Sequence, residues 1–319
     1  MPITLPDKPI PAVSDLTGNN ILIVGDYGVG KSGLLASTST GGSDVPLSER
    51  YILLDPQDKL RAYPDLLRVT VKSWPEHKEF LNLLAKVKPG TYAGIGLDVL
   101  NISYDQCLLW CMKNIKFAGS FLSHPSENPQ IAYPRVTIEF ISWVRDITLL
   151  GFHVIASCHV NLAPIRDKKG NAYDRWIPGF VGGSPNSTYS EILKIFPIVG
   201  FMAVDSVEKQ AISPAAKRLV MGKMVPDTRS DASRLDETEM AHVIYFKQDP
   251  LFLANNKFGG FPDRVVLTEN WQDDWRLLQE AWGSGDKHEI MDEEEEPELT
   301  IPPTAVPAGT TAMGLAVKK

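Results

Sequence analysis

Eight consecutive residues, Gly25-Asp26-Tyr27-Gly28-Val29-Gly30-Lys31-Ser32, match G-x-x-x-x-G-K-[ST] at every defined position. The spacing has a physical purpose. Glycines let the backbone curl until several N–H groups point inward at phosphate oxygens. A helix opening at Lys31 and running through Gly33 adds its N-terminal partial positive charge. Lys31 is placed to reach the β- and γ-phosphates of a nucleotide, and Ser32 to offer a hydroxyl to Mg²⁺, which keeps several waters and takes few protein ligands.

Such a loop calls for an acid on a neighbouring strand. Ala93-Gly94-Ile95-Gly96-Leu97-Asp98 supplies one: the apolar run buries the strand and Asp98 emerges at its carboxyl end, where open α/β sheets place ligands. Asp98 is expected to hold Mg²⁺ directly or through water; capping the following helix is a second use for it. Asp55 ends Tyr51-Ile52-Leu53-Leu54-Asp55-Pro56-Gln57-Asp58 and either orients an attacking water or forms a strand-end turn before proline. His159 follows Val154-Ile155-Ala156-Ser157-Cys158 and is either a sensor of the γ-phosphate or a structural histidine.

These residues need elements to hold them. Strands are expected at Ile21–Val24, Tyr51–Leu54, Ala93–Leu97 and Val154–Ser157, alternating with helices at Trp74–Val87, Asp105–Ile115 and Val136–Leu150. In the first helix Phe80, Leu81, Leu84 and Val87 fall on one face. Strand–helix alternation is the signature of a mostly parallel sheet with crossover helices, an α/β fold. Ala118–Pro134 reads as a long loop. Lys168–Pro185 is Gly/Pro-rich, and Ile198–Val204, His242–Phe246, Leu251–Ala254 and Val265–Leu267 read as further strands, partly antiparallel, added to the same sheet. Pro226–Glu239 reads as a mobile polar loop.

Composition sets the outer limits. The 319 residues are 43% hydrophobic and 22% charged, enough for a sizeable core without staples. Residues 1–17 hold four prolines and no periodic pattern and read as an extended arm. Residues 18–283 form the folded domain, and residues 284–319 form a disordered tail, acidic and then Pro/Ala-rich. Eight acids and three bases in residues 286–319 give that stretch a charge of -5 out of a total of -7, so the body is nearly neutral. Three cysteines fit a reducing cytoplasm, and Cys107 and Cys111, four apart on a helix without a second ligand pair, read as buried thiols. No apolar stretch approaches a membrane span, and no secretory leader is readable in the first residues.

With these strand ends in place, the sequence resembles a RecA-type P-loop ATPase, and more narrowly the phage-encoded nucleotide-binding ATPases related to RecA that accompany single-strand annealing and recombination. The resemblance covers about residues 18 to 270: the P-loop 25–32, the strands ending at 53–58 and 95–98, and the helix-plus-strand unit 141–159. It continues through Pro178-Gly179, Gly182-Gly183-Ser184, Phe196–Gly200 and Asn255–Pro262. It implies ATP and Mg²⁺ as ligands and His159 as γ-phosphate sensor. The late segment resembles one that supplies a basic finger to a neighbouring subunit's nucleotide, and Lys257 stands in that place, an ordinary surface lysine being the other reading. RecA-type enzymes carry a glutamate two positions beyond the aspartate of the second strand. Gln57 stands there instead, with Asp58 next, so Asp58 substitutes or hydrolysis is slow.

The resemblance implies a homo-oligomer, ring or filament, working in the host cytoplasm on single-stranded DNA with a single-strand-binding or annealing protein as partner. Arg166, Lys168, Lys169, Tyr173, Arg175 and Trp176 mix basic and aromatic side chains suited to a single strand. The acidic tail is a DNA mimic, a docking peptide or a solubilising segment. The competing reading is a nucleotide-dependent switch or packaging ATPase that acts on protein partners without touching DNA. A small-molecule kinase is disfavoured, because no acceptor lid or Arg-rich clamp is readable.

Overall fold

The strand Ile21–Gly25 is buried at all five positions. Ile21 and Ile23 enter one core and Leu22 and Val24 another, as period-two alternation requires of a strand covered on both faces. The computed structural model describes residues 16–40, 45–88, 90–117, 119–124, 127, 129–166, 172–180, 188–208, 217–220, 223–226, 238–268 and 270–284. Most of the expected arm and nearly all of the expected tail therefore lie outside the described residues, as does most of the polar loop 226–239.

In chain order the elements are β1 (Ile21–Gly25), α1 (Lys31–Ser37), β2 (Tyr51–Asp55), β3 (Arg68–Thr70), α2 (Trp74–Leu84), β4 (Gly94–Leu97), α3 (Leu100–Asn114) and α4 (Pro129–Leu149). There follow β5 (His153–Arg166), β6 (Ala172–Pro178), α5 (Thr188–Ile195), β7 (Ile198–Glu208), β8 (Lys217–Val220), β9 (Lys223–Pro226), β10 (Thr238–Tyr245), β11 (Asn255–Asn256), β12 (Arg264–Val266) and α6 (Asp274–Ala281). The main sheet runs β12-β10-β7-β1-β5-β4-β2-β3. β7, β1, β5, β4, β2 and β3 are parallel, and β10 and β12 join antiparallel. This is an α/β fold on a mostly parallel sheet, with the expected strands near Ile198–Val204, His242–Phe246 and Val265–Leu267 added to that sheet.

Helices cover both faces. On one side α2, α3, α4 and α5 pack through Trp74, Tyr104, Phe140 and Ile192. On the other, α1 and α6 pack through Leu34, Leu35, Trp275 and Leu278. Truncating one such side chain to alanine costs about 2–5 kcal/mol. β4 shows how the α1 face is fitted. A Cβ at Gly94 would lie 2.3 Å from the Tyr51 ring, and one at Gly96 would lie 2.4 Å from Leu53. The strand alternates Gly with Ile and Leu because its β2 neighbours fill the space on that face.

Four expectations change. α4 begins at Pro129, inside the expected loop, and carries Pro134 within it; α3 begins at Leu100 instead of Asp105. β5 continues to Arg166 and folds back antiparallel onto β6, a hairpin hidden in the Gly/Pro-rich stretch. Leu251–Ala254 is a turn, not a strand. There Phe252 stacks on Phe201 with ring centroids 4.4 Å apart, and Arg175 donates to the carbonyls of Asp249 and Phe252 at 3.3 and 3.2 Å.

Candidate nucleotide-binding site

The carboxyl ends of β1 and β4 flank the middle of β5, with Gly25 in register with His159 and Leu97 with Ala156. The loop 26–30 rises from β1 and returns into α1. Gly28 and Gly30 have φ of 78° and 94°, conformations that strain any other residue. A Cβ on Gly30 would also lie 3.0 Å from Met202 Cε and 3.2 Å from His242 Nδ1. Val29 is buried in the α1-side core and anchors the loop, while Asp26 and Tyr27 are exposed. Gly33 packs in the first turn of α1, facing Trp271 and Tyr63.

Lys31 is 4% exposed. Its ammonium folds back to donate to the carbonyls of Gly25 at 2.8 Å and Asp26 at 2.6 Å, which closes the loop into a ring. Burial lowers its pKa to about 8, partly offset by nearby acids that include Asp98 and Asp26. Asp98 is 2% exposed and accepts from Ser32 Oγ at 2.8 Å and Ser157 Oγ at 2.5 Å. Burial raises its pKa, against the effect of the two hydroxyls. One carboxylate and one hydroxyl, both oxygen donors, suit Mg²⁺ shared with phosphate oxygens. Among the described residues no group of three His, Cys, Asp or Glu side chains could hold a metal by itself.

His159 sits at the same edge, 7% exposed, with neither ring nitrogen hydrogen-bonded. The Tyr27 ring stacks on it at 3.7 Å between centroids. Its pKa is lowered to about 4, first by burial and then by the charges of Lys31 and Lys59. Its backbone is held on both sides: its N–H donates to Asn101 Oδ1 at 2.7 Å, and its carbonyl accepts from Gly179 N at 2.7 Å. Asn101 and Ser157 were not nominated from sequence. For Ser157 the available signal was a polar residue interrupting an apolar strand beside a site residue, whereas Asn101 lies in α3 and carried no such signal.

The acids after β2 are engaged elsewhere. Asp55 is fully buried and accepts from the backbone N–H of Gln57, Lys59 and Leu60 at 3.2, 3.2 and 2.7 Å. This geometry is that of the turn reading, because both oxygens are taken. Asp58, at φ 56°, is bound to Arg68 at 2.5 Å with Arg61 at 3.6 Å. The Arg68 hydrogen bond holds its carboxyl below the usual carboxylate range. An acid so paired is a poor substitute for the glutamate. Gln57 is exposed in the same turn.

Lys257 is exposed beyond β11. β11 pairs with Ile198 and Val199, and Ile198 aligns with Ile21 whereas Met202 aligns with Gly25. Lys257 therefore lies toward the amino end of the sheet, remote from its own P-loop. The expected basic-aromatic surface is reduced: Arg175 is buried on carbonyls of the 249–252 turn, Trp176 packs against the core, and Lys168 and Lys169 fall outside the described residues. Cys107, Cys111 and Cys158 are buried free thiols. No helix among the described residues is long and apolar enough to cross a membrane.

The family described as AAA domain matches residues 17–258. The chain belongs to the AAA domain family. The matched span of this AAA domain takes in the P-loop, Asp98, His159 and Lys257 and leaves β12 and α6 outside. No curated protein matches it. Among solved structures, the crystal structure of the RadB recombinase is similar at a TM-score of 0.31 and 10% identity, over 58% of this chain and 74% of that chain.

Proposed function

We propose that the chain is a Mg²⁺-dependent ATPase of RecA type that acts in phage DNA recombination, repair or replication, with single-stranded DNA. One observation carries the nucleotide half of this reading. A buried ammonium is held on loop carbonyls in place of a carboxylate, and next to it a hydroxyl is bonded to a buried acid. Lys31 exchanges its two carbonyls for phosphate oxygens. The loop amides, freed to face inward by Gly28 and Gly30, bind the same anion. Bound Mg²⁺ supplies charge neutralisation on the phosphates. Ser32 and Asp98 would hold it, and Ser157 keeps the Asp98 carboxylate oriented.

His159 offers two unpartnered nitrogens on β5 beside the loop and acts as the γ-phosphate sensor. Lys257, remote from its own site, serves a neighbouring copy. That demands head-to-tail association, the geometry of rings and filaments. Gln57 positions a water without accepting its proton, so turnover is slow.

The inward placement of Arg175 and Trp176 favours a second reading, a nucleotide-driven switch or assembly ATPase acting on protein partners. ATPase rate with and without single-stranded DNA separates the two. Stimulation that weakens steeply with salt supports the DNA reading, and an unchanged rate together with nucleotide-dependent protein capture supports the other.

A further inference from the structure

We propose that Asn101 is a positioning residue of this site, which sets the place of His159 against the terminal phosphate of a bound nucleoside triphosphate. The proposal rests on the sensor reading of His159 above and deepens it. His159 stands where β5 changes neighbours. It is the last β5 residue paired with β1, opposite Gly25, and from Val160 onward β5 pairs with β6. On its other side β4 stops at Leu97, opposite Ala156. His159 therefore lies past the last row that β4 shares with β5, and a side chain completes the bonding of its backbone.

That side chain is one planar amide. Asn101 Oδ1 accepts from the His159 N–H at 2.7 Å, and Asn101 Nδ2 donates to the Gly179 carbonyl at 2.9 Å. The Gly179 N–H donates to the His159 carbonyl at 2.7 Å, which closes a ring of three hydrogen bonds across α3, β5 and the residue after β6. A carboxamide accepts and donates from two ends of one rigid group, which the isosteric carboxylate does not. Space is as tight as the bonding: a Cβ on Gly179 would lie 3.1 Å from the His159 carbonyl oxygen and 3.2 Å from Asn101 Nδ2. The His159 ring has no hydrogen bond of its own. Its direction is set by its backbone and by the Tyr27 ring stacked on it, and Asn101 holds that backbone. Asn101 lies in the first turn of α3, directly after Asp98. One short segment thus carries both the acid offered to the metal and the amide that seats the sensor.

The test compares binding of a non-hydrolysable ATP analogue and of ADP, both with Mg²⁺, to wild type, Asn101→Ala, His159→Ala and the double variant. ADP lacks the terminal phosphate and controls for a merely structural role. Asn101→Ala is expected to weaken the analogue by roughly tenfold and to leave ADP within about twofold. On the His159→Ala background the same change should move neither nucleotide by more than about twofold, because its effect passes through the ring. Equal losses for both nucleotides, no loss for either, or an undiminished loss in the absence of His159 overturn the proposal and leave the sensor reading intact. Should Asn101→Ala fail to fold, Gly179→Ala makes the same comparison by crowding the clasp, and the same outcomes decide it. A His159→Ala variant that discriminates the two nucleotides as wild type does removes the sensor reading and this proposal together.

Discussion

Tyr27 covers His159, with ring centroids 3.7 Å apart and planes 23° from parallel. Tyr27 belongs to the phosphate loop and His159 to the middle of β5, level with Gly25, so the stack closes the space between them. Both imidazole nitrogens are left without partners beneath it. The ring pair is worth about 0.5–1.5 kcal/mol, small enough for an arriving triphosphate to displace. Tyr27→Ala should return water to His159 and raise its pKa from about 4 toward the usual histidine range, since burial is the main cause of the shift. An NMR titration of the ring protons reads this directly. ATP affinity should hold or improve; a loss beyond about tenfold would make Tyr27 a nucleotide contact instead of a cover.

Lys31 and Asp98 are separable by their effects. Lys31→Ala removes the ammonium that closes the loop, and nucleotide binding should fall below detection by calorimetry. Asp98→Asn keeps an acceptor for Ser32 and Ser157 and removes the charge. It should raise the Mg²⁺ concentration for half-maximal turnover by about tenfold or more. Asp98 has a raised pKa in the folded chain, so it favours the fold only at acid pH, and that contribution is lost as pH rises. The same variant should therefore melt higher than wild type at neutral pH without ligand. Unchanged Mg²⁺ dependence would remove Asp98 from the metal site.

The finger role proposed for Lys257 requires a second copy, because Lys257 sits toward the end of the sheet away from its own Gly25. Lys257→Ala and Lys31→Ala proteins should each be inactive in the assembled state. Mixed, they form interfaces in which an intact loop meets an intact Lys257, and about a quarter or less of wild-type turnover should return. Measuring activity against mixing ratio checks this. Absence of any recovery, with both variants shown to co-assemble, leaves Lys257 as a surface lysine.

The loop was legible in the sequence because its chemistry is local: eight adjacent residues, a strand before and a helix after. Asp98 and His159 were legible as polar residues following apolar runs, although β5 continues past His159 to Arg166. Their place beside the loop was expected, but not the strand order that brings it about, since β4 reaches β1 only through β5, an order that no local pattern encodes. Arg175 misled for the same reason. Its partners, the carbonyls of Asp249 and Phe252, lie more than seventy residues away, so a buried guanidinium resembled an exposed one. Pro134 hid the first turns of α4 because proline usually ends a helix, yet here the helix begins at Pro129 and runs through it.

His77 gives the fold a pH signature remote from the site. It is fully buried, between Trp74 and Trp143 at centroid distances of 5.4 and 5.1 Å. Nδ1 lies 3.1 Å from the carbonyl of Ser73 and Nε2 3.0 Å from Ser103 Oγ. A neutral ring that donates at Nδ1 and accepts at Nε2 satisfies both. Burial lowers its pKa from 6.5 to about 4, although Ser73 and Glu76 favour the cation. The unfolded chain therefore takes up a proton near pH 6.5 that the folded chain refuses until about pH 4. Stability is full above that window and falls through it by something on the order of 3 kcal/mol. His77→Gln should flatten this part of the curve of unfolding free energy against pH. His159, depressed in the same direction, leaves a residual slope. Urea melts of both proteins from pH 7.5 to 4 measure the difference, and identical slopes would show that His77 titrates alike in the folded and unfolded chains.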